Sequence, residues 1–306
     1  MISILVPVYN YNCTELICAL HEQGLAIKRN PEFPDFDFEI ILAEDGSEDI
    51  ETCHANKTLM HEIGQVYVQN RNNIGRARIR NYLLSLARFP HCLLIDCDAL
   101  VCTPDFLLQY WNSRNRADVI CGRIRTPKIC PPGCELRHKY ETQAEKKRSM
   151  EYKAMHPYHH FSTFNVLFNN YVFKTLRFDE RCTEYGYEDA LLGLKLEQEG
   201  YSVMHAEIPL IHNGMDKNAE FIKKTETSLR VLRRLGEPMQ SFSKISRIER
   251  TLCKLHLIPL TYYLLRKWRD SLLSNLLSNH PSLVSFQLYK LFYYIETRKI
   301  QQTPTL

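Results

Sequence analysis

Along its first hundred residues the chain alternates short apolar runs with longer segments of mixed polarity. ISILVPVY (2–9), FEIILAED (38–45), QVYVQN (65–70) and CLLIDCD (92–98) lack a regular polar alternation, which predicts strands covered on both faces. Between them, 14–24, 47–63 and 75–87 read as helices, with Thr14 and Ser47 as expected N-caps and Gly24 as the expected stop. Strand and helix in strict alternation predict an α/β fold with a parallel sheet. From 127 to 162 the pattern dissolves into a run rich in Pro, Lys, His and Tyr, and a stretch of that length without periodicity is expected to be either disordered or a lid over a site. STFNVLFNNYVF then reads as a strand and turn, 188–199 as a helix ended by Gly200, 202–208 as a strand, and everything after 219 as helix without an internal repeat.

Composition adds little to this until it is divided along the chain. A length of 306 residues, 44% hydrophobic and 24% charged, is ordinary for a folded globular protein. The net charge of +4 is too small to point to nucleic acid. From Lys244 to Lys299, however, ten basic residues (Lys244, Arg247, Arg250, Lys254, Arg266, Lys267, Arg269, Lys290, Arg298, Lys299) face three acidic ones (Glu249, Asp270, Glu296). The tail is basic and the remainder slightly acidic. Eleven cysteines, with no paired C-x-x-C knuckles and no leader ahead of ISILVPVYN, predict reduced thiols and a cytoplasmic location. Cys130 and Cys134 in CPPGC read as a turn, because no second half of a zinc site follows. No run of eighteen apolar residues occurs, so no transmembrane helix is expected.

The candidate chemistry lies at strand ends. In an open parallel sheet, ligands occupy the crevice beyond the carboxyl ends of the strands, and Tyr9 and Asn10, Glu44 and Asp45, and Asp96 and Asp98 all fall there. Neither a P-loop nor a G-x-G-x-x-G follows the first strand, which removes the main support for a nicotinamide or P-loop site. Acid stands there instead. Carboxylates bind a diphosphate only through a bridging divalent cation, and Asp96 and Asp98 at i and i+2 project to one side of an extended segment, where they can share one. For an isolated D-x-D the plainer reading is a capped strand end with solvated aspartates.

The company of that pair changes the reading. VPVYN (6–10), EDGSED (44–49), NNIGRARIRN (72–81), DCDAL (96–100), EYGYEDALLG (184–193) and IPLIHNG with His212 occur in an order and spacing that resembles the family 2 inverting glycosyltransferases of GT-A fold. These motifs span residues 2 to about 225, nearly three quarters of the chain. The resemblance implies a GT-A, Rossmann-like, mostly parallel sheet flanked by helices, with a nucleotide-binding half (1–100), an acceptor-binding half (101–220) and a helical C-terminal region (221–306). It implies a nucleotide-sugar site on Pro7, Tyr9, Asn10, Asp45, Gly75, Arg80 and Asp96, in which Asp45 bonds the uracil, Tyr9 stacks near the base, and Arg80, with Arg76 and Arg78 as alternatives, lies on the nucleotide side. Asp98 and His212 would hold Mn²⁺ or Mg²⁺, with Asp96 on the ion or the ribose.

Asp189 would be the catalytic base and Glu188 would bond an acceptor hydroxyl. Both acids open a helix, where a carboxylate is stabilised anyway and kept ionised, so the base is expected to gain from position more than from a raised pKa. Family members often carry Gly-Trp-Gly where Tyr185-Gly186-Tyr187 stands, which leaves the acceptor contact open. Ser162 and Asn165 are candidates for the sugar pocket, and His159, His160, Lys223 and Lys224 for the diphosphate. The implied activity is metal-dependent, inverting hexosyl or N-acetylhexosaminyl transfer in polysaccharide biosynthesis, from a UDP-linked donor to a glycan or lipid-linked acceptor. Two alternatives remain: a nucleotidyltransferase of the same fold, which would want a Gly-rich basic loop after the first strand, and a nucleotide-binding scaffold without turnover. The C-terminal helices are expected to pack on their own domain or in a homodimer, with peripheral membrane contact as the alternative.

Overall fold

The computed structural model describes residues 1–159, 161–237 and 239–300. The chain divides into two compact units, the first of residues 1–127, 148–183 and 188–214, the second of 128–147, 184–187 and 215–306.

The first unit is built on β1 (Ile2–Val8), β2 (Phe38–Asp45), β3 (Val66–Asn70), β4 (His91–Ile95), β5 (Ala99–Val101), β6 (Val119–Arg125), β7 (Asn165–Asn169) and β8 (Val203–His212). Among the described residues these form one sheet in the order β3-β2-β1-β4-β7-β6-β8-β5. The half from β3 to β4 is parallel, as expected, with helices Thr14–Arg29, Ile50–Glu62 and Arg76–Leu86 as crossovers. The other half is mixed: β7 runs antiparallel to β4 and β6, β8 parallel to β6, and β5 antiparallel to β8. Every residue of β2 is buried, including Glu39, Glu44 and Asp45, which accounts for the unbroken apolar reading of that run.

Several expected boundaries move, each for a local reason. The first helix does not stop at Gly24 but continues to Arg29, because Gly24 is there for packing: a Cβ on it would lie 2.5 Å from the Phe38 ring. Thr14 and Ser47 are not N-caps. Cys13 and Asp49 hold those positions, and only Asp49 caps with its side chain, accepting from Thr52 N. The last strand runs through Pro209, a residue that reads as a stop. Pro209 is tolerated because it pairs with Arg123 beside the irregularity between Cys121 and Arg123, where the ladder is already interrupted. The stretch 127–162 is no structureless lid: it forms helices Glu135–Lys147 and Met150–Met155. Leu136 is the buried residue of the first and the second buries none, so neither leaves an apolar period in the sequence.

The second unit is helical. Leu136 packs with Phe221 and Ile222 of helix Asn218–Leu235, with Leu272 and Leu276 of helix Ile258–Leu276, and with Phe286 and Tyr289 of helix Leu283–Ile300.

Candidate active site

The crevice is assembled from the carboxyl ends of β1, β2 and β4. Asp45 closes β2 and is buried, with Oδ1 accepting from Ile74 N at 2.8 Å and Oδ2 from Gly75 N at 3.1 Å. Gly75 sits at φ +91°, a conformation that favours glycine, so the loop can turn its amides onto the acid. Asn10 has a similar task one strand away. At φ 50°, its Oδ1 accepts from Glu48 N (2.7 Å) and Asp49 N (3.2 Å), while its own amide donates to Ser47 Oγ (2.9 Å). Ser47, expected as a cap, thus pins this loop instead, donating to Glu44 as well. Pro7 is half-buried within β1 opposite Ala43, and Tyr9 stands exposed just past the strand end.

Beyond β4 the acids meet arginine. Arg80 is buried in helix Arg76–Leu86 and donates from Nη2 to Asp96 Oδ1 at 2.8 Å, with Nη1 3.6 Å from Glu188 Oε1. Its Nε and Nη1 have no hydrogen-bond partner, so charge holds the guanidinium there. Arg76, one turn earlier, donates to Glu188 Oε1 at 3.3 Å. Burial opposes ionisation of Glu188, but the Arg80 and Arg76 charges outweigh it and leave its pKa below the ordinary value. Glu188, for which the resemblance implies an acceptor contact, is buried against two guanidinium groups.

Strand register decides the next pair. In the antiparallel β5/β8 pairing Ala99 lies opposite His212, so Asp98, one residue before β5, meets the last residue of β8. His212 Nε2 is 3.3 Å from Asp98 Oδ2, and the His212 ring packs edge-on against Phe164 at 5.4 Å. Burial disfavours the Asp98 charge, yet the bond to His212 and the His212 and Arg76 charges bring its pKa below the usual value. Asp98 and His212 could hold a cation between them, and carboxylate with imidazole suits Mn²⁺ or Mg²⁺. Among the described residues no group of three or more His, Cys, Asp or Glu is placed to hold an ion. Asp96, expected as a further ligand, accepts from Arg80.

Asp189 follows Glu188 at the start of helix Glu188–Gln198 and is anchored by Thr163, whose amide donates to Oδ2 (3.1 Å) and whose hydroxyl donates to Oδ1 (2.6 Å). Thr163 lies just ahead of β7, and Asp96 N donates to Phe164 O at 3.0 Å, which carries the anchor alongside Asp96. Burial and the neighbouring Glu188 charge push the Asp189 pKa up to about 6, against the pull of Arg80 and the Thr163 bond. The helix start does not hold this carboxylate at an ordinary acidity, contrary to expectation. The dipole contributes at most about 1 kcal/mol, which desolvation and a buried like charge override.

Other candidates have these contacts. Asn165, a candidate for the sugar pocket, is buried and donates to Ile208 O at 3.1 Å, joining β7 to β8, with its carbonyl accepting from Tyr110. Lys224 belongs to the second unit, paired with Asp216, and His160 lies outside the described residues. Sequence reasoning missed Thr163, Tyr11 and Gly214. Asn213 donates to the Tyr11 hydroxyl at 3.4 Å, and a Cβ on Gly214 would fall 2.2 Å from Asp98 Oδ2. The "NG" after His212 carried that last signal, as a place where backbone approaches closely.

The family model for glycosyl transferase family 2 matches residues 3–177, more than half of the chain. Asp189 and His212 lie beyond the matched stretch. No curated protein sequence matches. Among solved structures, the mannosyltransferase PcManGT of Pyrobaculum calidifontis, in complex with GDP-Man and Mn²⁺, is 15% identical over 98% of this chain and 86% of its own, with a TM-score of 0.55. TarS of S. aureus is 16% identical over 98% of this chain and 53% of its own, with a TM-score of 0.53. At such identities the likeness speaks for the fold, which is the GT-A arrangement of a mixed sheet flanked by helices. With the family model covering β1 to β7 and the acids gathered at the sheet's carboxyl edge, the chain belongs to glycosyl transferase family 2 and is a glycosyltransferase.

Proposed function

We infer that the protein transfers a sugar, with inversion, from a UDP-linked donor to a hydroxyl of a glycan or lipid-linked acceptor, with a divalent cation between enzyme and diphosphate. The observation that carries this reading is the coexistence in one unit of the Asp98–His212 pair, 3.3 Å apart, and a separate carboxylate, Asp189, poised near neutrality. When bound, the ion supplies positive charge against the charge developing on the departing diphosphate. Asp98 and His212 would hold it, and the Mn²⁺ in the Pyrobaculum mannosyltransferase supports a divalent cation. Asp45 recognises the base: each of its oxygens accepts one loop amide and keeps a second lone pair for the ligand. Tyr9, exposed beside it, offers a ring for stacking. Arg80 bonds Asp96 and, by its charge, favours the ionised form of Glu188.

Asp189 takes the proton of the acceptor hydroxyl as its oxygen bonds to the anomeric carbon, while the bond from that carbon to the diphosphate oxygen breaks on the opposite face. Thr163 fixes both carboxylate oxygens, so the base enters with its orientation set. Incubation with UDP-, GDP- and dTDP-sugars and Mn²⁺, followed by assay of free nucleotide, tests the reading. Asp98→Ala is expected to abolish Mn²⁺-dependent nucleotide binding, whereas Asp189→Asn keeps binding and loses turnover. Nucleotide binding without turnover on any donor and acceptor would sink it.

A further inference from the structure

Helix Ile258–Leu276 is attached to the second unit by one line of residues. Leu265, Leu272 and Leu276 are buried, and Tyr262 stacks on Phe292 at 5.7 Å. On its outward side a helix of a globular protein is ordinarily polar. Here that side carries Leu260 (56% exposed), Tyr263 (68%), Leu264 (49%) and Trp268 (58%), in steps of three and four residues. The apolar surface continues into the preceding turn through Leu255 (59%) and Leu257 (38%). Six large apolar side chains grouped in this way within fourteen residues (255–268) are more than the scattered exposure of an ordinary surface.

Charge identifies what covers them. Arg266 and Lys267 are exposed in the same turns as Leu264 and Trp268, and Lys254 is exposed beside Leu255. Across 244–267 the acidic residue is Glu249, which is buried and clasped by Arg233 at 2.7 and 2.8 Å. Positive charge thus accompanies the apolar face, and Asp270, the exposed acid that follows in the same helix, is paired with Arg269 at 3.0 Å. A second copy of the chain docking face to face would set these cations against one another. An anionic lipid surface would meet the cations with phosphate and the leucines with acyl chains, and Trp and Tyr suit the headgroup level. No described helix is long and apolar enough to cross a membrane, so this helix would lie in the plane of the surface.

We propose that the face bearing Leu257, Leu260, Tyr263, Leu264 and Trp268, together with the exposed Arg266 and Lys267, docks on an anionic lipid bilayer. This goes beyond the transferase reading and uses none of its residues. Co-sedimentation of the full chain with vesicles, in the absence of donor and acceptor, tests it separately from activity. Vesicles of phosphatidylcholine with about one third phosphatidylglycerol are expected to bind the protein at least ~10-fold more strongly than phosphatidylcholine alone, and ~0.5 M NaCl to reduce that binding. Arg266→Glu with Lys267→Glu, and separately Leu264→Ser with Trp268→Ser, are each expected to lower binding about tenfold. The salt arm needs no variant and stands if either double variant fails to fold. Equal binding to both vesicle types, binding indifferent to salt and to charge reversal, or a dimer in sedimentation equilibrium that Leu264→Ser with Trp268→Ser dissociates would each overturn the proposal.

Discussion

At Asp189 the environment outweighs the ordinary acidity of an aspartate. Its pKa of about 6 means that the base is lost as pH falls, so kcat/KM should decline on the acid side with a midpoint near 6. Burial sets this midpoint first; Glu188 and Asp96 raise it further, and Arg80 and Thr163 lower it. Removing the Thr163 hydroxyl removes a bond to the ionised form, and a pH profile of Thr163→Val should therefore shift its acid limb to higher pH. The same shift has a stability sign. A carboxyl raised from 3.8 in the unfolded chain to about 6 in the fold favours folding below the unfolded value and loses that advantage as pH rises through 6. Above pH 6 the ionised Asp189 is a net cost. Asp189→Asn should accordingly stabilise the protein at pH 8 by about 1–3 kcal/mol while abolishing turnover, measured by urea unfolding beside the transfer assay. A variant less stable than the wild type at pH 8 would contradict the buried charge described here.

At the scale of elements, helix Arg76–Leu86 matters through the two arginines that it turns toward the acids. Arg80→Met would leave Asp96 and Glu188 without their buried cation, and a loss of about 3–5 kcal/mol is expected in denaturant titrations. Helix Thr14–Arg29 offers a contest between propensity and packing. Gly24→Ala would gain up to about 1 kcal/mol in an isolated helix, but the new methyl would lie 2.5 Å from the Phe38 ring, and overpacking costs about 1–3 kcal/mol. Packing should win, so Gly24→Ala lowers Tm. Both cases explain what was and was not legible. The arginines show at i and i+4 in the sequence, whereas the ring across from Gly24 comes from β2, fourteen residues later.

For the whole molecule, the division into two compact units has a consequence for truncation. Helix Glu135–Lys147 buries Leu136 among residues that lie beyond 220, and Tyr140 meets the rings of Phe221 and Phe286 at 5.6 and 5.7 Å. A fragment of residues 1–220 would strip that helix of its partners. It should bind a hydrophobic dye such as ANS and aggregate at concentrations where the full chain does not, as light scattering would report. Clean folding of that fragment would argue for the simpler boundary drawn at 220 from sequence.

The sequence by itself determined the parallel half of the sheet, the three crossover helices and the acids at strand ends, because each leaves a local mark: an unbroken apolar run, a helical period, or a carboxylate where a buried strand stops. Tertiary structure alone decided which of those acids act together. Asp98 meets His212 through the register of β5 on β8, across 114 residues. Glu188 joins Arg80 rather than solvent, and Asp189 is desolvated in a place where a helix start alone would have kept it acidic. A local pattern fixes where a side chain leaves the backbone. Its charge state depends on what the rest of the chain brings within a few ångströms.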